Sequence, residues 1–474
     1  MLLDLRGDGT LFKKLAGNLL GACISTLLAG SLFAATPSDS MAATSSWIGS
    51  SVVYTIYPSI FSQSGDLNGI TNQLHRIKKL GANVVWIMPI TPIGKPVNGH
   101  PAFDSPYCVA DYYGINTAYG SKGDLVRLVS TAHRLGLKVV LDEVINHSSW
   151  DNPLITQHPE FYVHSDNNPK NPNSIVRAFI YNDVAQFNYN NPALRAYIVQ
   201  MLGYWLTQYH LDGFRFDSAD NPPGPRRTIP AAFWRAMAVH LRAVKPDVLM
   251  IGEGESGDIS NNPFQILYGW DVYYRLKETV GGASAANVVS NWHHEQTLAN
   301  PAPLLLSLQD DWDFNRDVNT FGGPEGAKAV AVFNLTNNGV PLIYNGMEIG
   351  NAEGGVNPHD KIDWTKVNPG FPELYSRLLA LRDSSPALQQ GKMLWLSNTA
   401  PNALLTYKRS AGSQEFLIEI NISNQPAQAR LSEPIGPNWE EIGTQSGWNA
   451  VKESDPSTIS LPAKGYAIFK HIRN

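Results

Sequence analysis

The chain has 474 residues but only two cysteines, Cys23 and Cys108. With a leader that carries Cys23 removed, Cys108 stands alone. An intramolecular disulfide and a two-cysteine metal cluster are then both excluded, and packing must hold the fold. Charge is scarce too: 16% of residues are charged, the net is -5, and no long basic run occurs. That removes the electrostatic case for nucleic acid or an anionic membrane. No Gly-rich phosphate turn follows the first strand-like run, and no Gly-x-Ser-x-Gly elbow occurs. Dinucleotide-binding and serine-hydrolase readings lose their motifs accordingly. Internal repeats and low-complexity tracts are also missing.

What is present is globular: 43% apolar residues, with twelve Trp, nineteen Tyr and seventeen Phe. The length suits one large domain and a smaller one. The aromatic content is compatible with sugar stacking, and core packing explains most of it equally well.

Residues 1–45 read as a targeting segment and linker. Lys13 and Lys14 precede a mostly apolar run from Leu15 to Ala35, and Ala34 and Ala35 offer a cleavage site. The expectation is export, periplasmic or extracellular, by a cleaved signal, with an uncleaved membrane anchor as the alternative. No other membrane association is expected.

From residue 46 onward, apolar strand-like runs alternate with amphipathic helices. Val52–Tyr57, Asn83–Ile90, Lys138–Asp142, Leu211–Asp217 and Val248–Glu253 read as strands. Weaker strands follow at Ile266–Trp270, Leu304–Leu308 and Pro341–Tyr344. Ser121 with Asp124 three residues on predicts a capped helix, and Pro192 after Asn191 predicts another helix start. Continuous apolar strands between helices imply a parallel sheet covered on both faces. Eight such units over residues 46–390 predict a (β/α)8 barrel, the runner-up being a doubly wound open sheet. Residues 148–187, rich in Asn, Asp, Pro and aromatics, are too long for an ordinary turn and predict a short excursion after strand three. Residues 391–474 switch to short alternating runs, which predict an antiparallel β-sandwich domain.

Chemistry concentrates at the carboxyl ends of these strands, where such barrels keep their active sites. Asp142, Asn146 and His147 follow strand three. Arg215 and Asp217 sit two apart on strand four, and so share a face. Glu253 ends strand five, and Asp310, Asp311 and Asp313 follow strand seven. Each acid alone is explained by a strand end or a helix cap. Several on one rim repel one another and cost stability unless they perform chemistry. Paired carboxylates suit glycoside hydrolysis, one attacking the sugar while the other donates a proton. The His293-His294 pair reads as surface rather than as a metal site.

Leu141-Asp-Glu-Val-Ile-Asn-His147, Gly213-Phe-Arg-Phe-Asp217 and Gly252-Glu253 resemble three successive signature regions of the α-amylase superfamily, glycoside hydrolase family 13. Ser105-Pro-Tyr-Cys-Val-Ala-Asp-Tyr112 is similar to the stretch before them, and Gly339–Tyr344 with Gly346-Met-Glu348 to the eighth-strand segment. The resemblance covers roughly residues 50–385. It implies a retaining α-glycosidase with Asp217 as nucleophile and Glu253 as general acid/base. Arg215 would hold Asp217 ionised, and Tyr107 and His147 would line the sugar pocket. Glu255 is a second candidate acid that fits the motif less well.

Two departures stand out. The family's fourth region usually reads aromatic-x-x-Asn-His-Asp with an Arg often three residues on. The best gapless fit here is Leu308-Gln-Asp-Asp-Trp-Asp313 with Arg316. Asp313 becomes the third acid, with Asp310 or Asp311 taking that role if the register slips. Trp312 replaces the histidine; indole offers one donor and no acceptor, so a sugar contact is lost or becomes stacking. Asp220-Asn221 stands where many starch-acting members carry Lys-His, and the stiff Pro222-Pro-Gly-Pro225 follows. No cofactor is required. Calcium is common in the family, but Asp66-Leu-Asn-Gly69 is too short for a calcium loop. The expected substrate is an α-glucan or oligosaccharide, and the expected state a monomer. A transglycosylase of the same architecture is the alternative, and a carbohydrate-binding homologue with impaired catalysis is the third reading.

Overall fold

The eight barrel strands form in the order the sequence suggests, each three to six residues long. They are β1 (Val53–Ile56), β2 (Val84–Ile87), β3 (Lys138–Glu143), β4 (Gly213–Phe216), β5 (Leu249–Gly252), β6 (Ile266–Tyr268), β7 (Leu304–Ser307) and β8 (Val340–Tyr344). The computed structural model describes residues 46–97, 99–166, 168–220, 229–254, 263–297, 303–433, 435–448 and 456–472. The expected leader, residues 1–45, lies outside them, as do Glu255 and Pro222–Pro225. Each strand pairs in parallel with its sequence neighbour, and β8 closes the ring onto β1. Six of the eight are buried at every position. A strand flanked by side chains inside the ring and helices outside has no wet face, so a period-2 pattern has nothing to report.

The helices start where the chain supplies a cap. In α1 (Leu67–Leu80), Asp66 accepts the Gly69 N–H at 2.7 Å. The short acidic stretch that fails as a calcium loop is therefore a helix cap. Ser121 and Asp124 form the expected capping box on α2 (Lys122–Arg134), and Asn191 with Pro192 opens α3 (Pro192–Tyr209). Then come α4 (Ala231–Val244), α5 (Trp270–Glu278), α6 (Ala285–Glu295), α7 (Pro324–Thr336) and α8 (Phe371–Asp383). Glu348, from the eighth-strand motif, accepts from Tyr54 on β1 at 2.5 Å and Arg76 on α1 at 2.6 Å, tying the last unit to the first.

Gly213 is needed where β4 meets β5: a Cβ there would lie 2.1 Å from the Leu249 carbonyl oxygen. No side chain fits that gap, which explains the glycine two residues before Arg215.

The excursion after β3 begins as an antiparallel pair, 147–149 with 184–186. A second arm that the sequence did not suggest comes from the loop after β2. Ser149 N–H bonds to the Val109 carbonyl and Lys95 N–H to the Asp151 carboxyl, so this arm packs against the excursion. Beyond the barrel, β9 (Lys392–Trp395), β10 (Leu404–Ala411), β11 (Gln414–Asn421), β12 (Ala427–Arg430), β13 (Trp439–Thr444), β14 (Thr458–Leu461) and β15 (Tyr466–His471) make the antiparallel domain. A five-stranded sheet in the order β9-β10-β11-β15-β13 stands beside the β12–β14 pair. Alternation divides its residues: Leu405, Tyr407, Phe416 and Ile418 join the barrel core, while Leu404, Leu417 and Phe469 face Ala429 and Ile459.

Candidate active site

Strand ends β3, β4 and β5 deliver one guanidinium to three carboxyls. Asp142 on β3 is the direct neighbour of Arg215 on β4, and Glu253 follows β5 at once. Arg215 Nη1 lies 2.9 Å from Asp142 and 3.4 Å from Asp217, while Nη2 lies 2.8 Å from Glu253. Its Nε donates to the Tyr268 hydroxyl at 3.1 Å, and the rings of Trp86, Tyr107 and Tyr268 surround its charge. Sequence reasoning gave Arg215 to Asp217 alone. The fork instead spreads over three acids and is closest to Asp142 and Glu253. A planar group with five donors can do this; an ammonium cannot.

Asp142 is held from three sides. Arg215 reaches one oxygen, and Trp86 and the Tyr107 hydroxyl each donate to the other at 3.2 Å. Tyr107 therefore stands at the centre of the cluster. His147 is also there: its Nε2 donates to the Tyr107 carbonyl at 3.2 Å, and Asn146 donates to its Nδ1 at 3.1 Å. Burial pushes the imidazole down to about 4, so it is neutral.

Asp217 and Glu253 share the Arg215 guanidinium. Burial raises both carboxyls, and Arg215 opposes the rise in each. The charge on Asp217 adds to the rise of Glu253, which favours the proton on Glu253. Ser218 sharpens the geometry. Its backbone is in the left-handed region at φ +48, which aims its N–H at Glu253 at 2.7 Å. A non-glycine residue held there, between Asp217 and the backbone contact to Glu253, is backbone strain beside the candidate acids.

Strand β7 separates its three acids. Asp310 turns to Arg316, with its carboxyl 3.2 Å from Arg316 Nε, and accepts the Asp317 N–H. Asp311 and Asp313 instead feel Arg215 and Glu253. Burial lifts Asp311 to about 7, and Asp142 likewise to about 7. Asp313 is raised by burial and then by Asp311 and Glu253, but it opens to solvent at the mouth, where water tempers the rise. Trp312, expected as a sugar contact, is buried. Its ring stands edge-to-face on Tyr57 at 4.8 Å and tilts against Tyr107 at 6.3 Å, so it backs the wall that Tyr107 presents.

Five acids thus meet one guanidinium. Asp142 was visible in the sequence as a strand-end acid, but its hold on Arg215 was not. Tyr268 and Trp86 escaped notice because an aromatic in a buried strand looks like core. Tyr181 was missed as well: it lies at an excursion hairpin tip, half exposed, within electrostatic reach of Asp313, Asp217 and Glu253. Among the described residues, no group of three or more His, Cys, Asp or Glu side chains is placed to hold a metal ion.

Residues 33–369 match the sequence model of the α-amylase catalytic domain. A cyclomaltodextrinase of Geobacillus thermopakistaniensis is 27% identical over 435 residues, spanning 85% of this chain and 70% of that protein. An intracellular maltogenic amylase of Bacillus subtilis is 24% identical, spanning 82% of this chain and 71% of its own. Among solved structures, a noncanonic maltogenic α-amylase from Thermotoga neapolitana superposes with a TM-score of 0.79 at 24% identity, covering 90% of this chain and all of that one. At that identity the structural likeness speaks for the fold.

Proposed function

The chain belongs to the α-amylase catalytic-domain family and is a retaining glycoside hydrolase, and on that premise we propose that it cleaves α-glucosidic bonds of α-glucans or their oligosaccharides with Asp217, Glu253 and Asp313. One observation supports the assignment of roles: Arg215 contacts both carboxyls, Asp217 at 3.4 Å and Glu253 at 2.8 Å, so one buried guanidinium gathers the two acids that a retaining displacement uses as a pair.

In this reading Asp217 attacks the anomeric carbon and forms a β-linked glycosyl ester, while Glu253 gives its proton to the leaving oxygen. Glu253, now ionised, takes a proton from the water that attacks the same carbon, and Asp217 leaves. Arg215 carries the positive charge against which Asp217 stays ionised. Neutral His147 and Tyr107 line the pocket. Asp313 grips sugar hydroxyls.

The test is the configuration of the first product, followed by NMR on a maltooligosaccharide. Release of the α-anomer, with turnover collapsing in Asp217→Asn and Glu253→Gln, is expected. A β-anomer, or full turnover in Asp217→Asn, overturns the assignment.

Transfer to a second sugar is the competing outcome, since water and sugar meet the same ester. Ile180 and Tyr181, exposed at the hairpin tip near the acids, favour it by offering an apolar face to an acceptor. Products from maltotriose at high acceptor concentration decide: hydrolysis products alone remove this reading. Export is proposed from residues 1–45. Among the described residues no helix is long and apolar enough to cross a membrane. Recovering the protein outside the cytoplasm, with an N-terminus past Ala35, is the expected result.

A further inference from the structure

An aromatic ladder climbs out of the site on the β6–β7 side. It starts at Tyr268, which accepts from Arg215, and continues to Trp270, whose ring centroid is 5.1 Å away. Trp270 opens α5, and Tyr274 lies one turn along the same helix, so the two share a face. Their rings are nearly parallel, with centroids 6.2 Å apart and planes at 20°. Beneath them Phe314, the residue after Asp313, meets Trp270 edge-on at 5.4 Å and stacks on Tyr273 at 3.9 Å. Tyr273, Phe314 and Phe321 are buried, and core packing accounts for them. It does not account for Tyr274, which is 44% exposed, and it covers only part of Trp270, which packs half-buried against the core.

We propose that Trp270 and Tyr274 form a sugar-stacking platform that holds the α-glucan chain outside the pocket where the bond is cleaved. This deepens the hydrolase reading above and rests on it. The apolar face of a glucose ring lies flat on an aromatic ring, and two nearly parallel rings one helical turn apart carry that contact along the chain. Tyr268 and Phe314 hold Trp270 in place before substrate arrives, so little side-chain freedom remains to be lost on binding. Continuity with the site gives the direction: the platform adjoins Phe314, and Phe314 adjoins Asp313. A substrate too short to leave the pocket gains nothing from it.

The experiment compares maltoheptaose with maltotriose. Calorimetric binding is measured in an Asp217→Asn background, and kcat and KM in the active enzyme. Tyr274→Ala removes only a half-exposed ring, and Trp270→Phe keeps the contact with Phe314, so neither should unfold the protein. Tyr274→Ala is expected to weaken maltoheptaose binding about fivefold, at least three times the effect on maltotriose. In turnover the loss should appear in KM rather than kcat. Val239→Ala, an exposed apolar residue on α4, serves as the surface control. Equal losses on both sugars, no loss on either, or no maltoheptaose binding at all would overturn the platform. The hydrolase reading fails separately, if Asp217→Asn turns over normally, and the binding contrast then still judges the platform.

Discussion

Replacing Arg215 by lysine keeps the charge and removes the fork. Arg215 makes contacts of 2.9, 3.4 and 2.8 Å to Asp142, Asp217 and Glu253, and a fourth of 3.1 Å to Tyr268. A lysine ammonium on a thinner stem serves at most one or two of these, and two charge-assisted bonds are lost. At about 1.5–3 kcal/mol each, the loss is about 3–6 kcal/mol in a site where these contacts set protonation. If most of it falls on the transition state, kcat drops by roughly 10²–10⁴. The pH profile carries the sharper signature. Burial raises the Asp217 carboxyl and Arg215 pulls it back down, so weakening that pull moves Asp217 upward. The ionised fraction at a given pH falls, and the acid limb of kcat against pH should move up by about one unit. The assay is turnover of a maltooligosaccharide from pH 4 to 9, with circular dichroism to confirm folding. A folded Arg215→Lys within tenfold of wild type, with its acid limb unmoved, refutes the account of the fork.

Asp311→Asn should stabilise the protein in mild alkali. Burial raises this carboxyl to about 7, so as pH climbs from about 4 the unfolded chain loses its proton first and stability falls until the folded group ionises near 7. Asparagine keeps the acceptor for the Trp312 N–H at 2.7 Å, so Tm at pH 8 should rise by a few degrees and at pH 4 hardly move; an unchanged difference between the two pH values contradicts this. Gly213→Ala should abolish soluble barrel, because the added Cβ lands 2.1 Å from the Leu249 carbonyl oxygen in rigid sheet; normal expression with a native Tm would show that β4 and β5 can part. Arg409→Met should lower Tm by several degrees while leaving kcat near wild type. Arg409 donates from β10 to the carbonyls of Thr336 and Asn337 at the end of α7 and of Gly391 just before β9, and a buried acceptor left without a donor costs about 1–3 kcal/mol. A loss of activity without a loss of Tm would contradict that structural role.

The barrel was legible because its strands are apolar on both faces and its helices announce their caps: Ser121 with Asp124, and Asn191 with Pro192. The acids were legible because a parallel barrel gathers strand ends, so Asp142, Asp217, Glu253 and the β7 acids had to meet. The pairing among them was hidden. Whether Arg215 serves one carboxyl or three depends on side-chain directions at adjacent strand ends, and the β3–β4 register that sets Asp142 beside Arg215 is not written in either strand. The second arm was equally hidden, because the contacts that join it to the excursion, such as Ser149 N–H to the Val109 carbonyl and Lys95 N–H to the Asp151 carboxyl, leave no signature in either segment. Trp312 shows the reverse case. A substitution in a motif drew attention as a sugar contact, yet a large aromatic beside Tyr57 and Tyr107 gains more from packing than from exposure.

Five carboxyls around one guanidinium also bear on how the resting enzyme is charged. Fully ionised, Asp142, Asp217, Glu253, Asp311 and Asp313 would bring five negative charges against one positive, in a site where water screens poorly. The fold answers by holding protons, with Asp142 and Asp311 raised to about 7 by burial. A general acid needs its proton at the pH where the nucleophile has lost its own. Arg215 opposes the rise of Asp217 and Glu253 alike. In the proposed mechanism the charge on Asp217 raises Glu253 and so separates their roles, while Asp142 draws one arm of the guanidinium away. Asp142→Asn would weaken that hold, leave more of the guanidinium's pull to Asp217 and bring its raised carboxyl down. The acid limb of kcat should then move down in pH, opposite to the shift expected for Arg215→Lys, and a shift in the same direction for both would show that Asp142 does not compete for the fork.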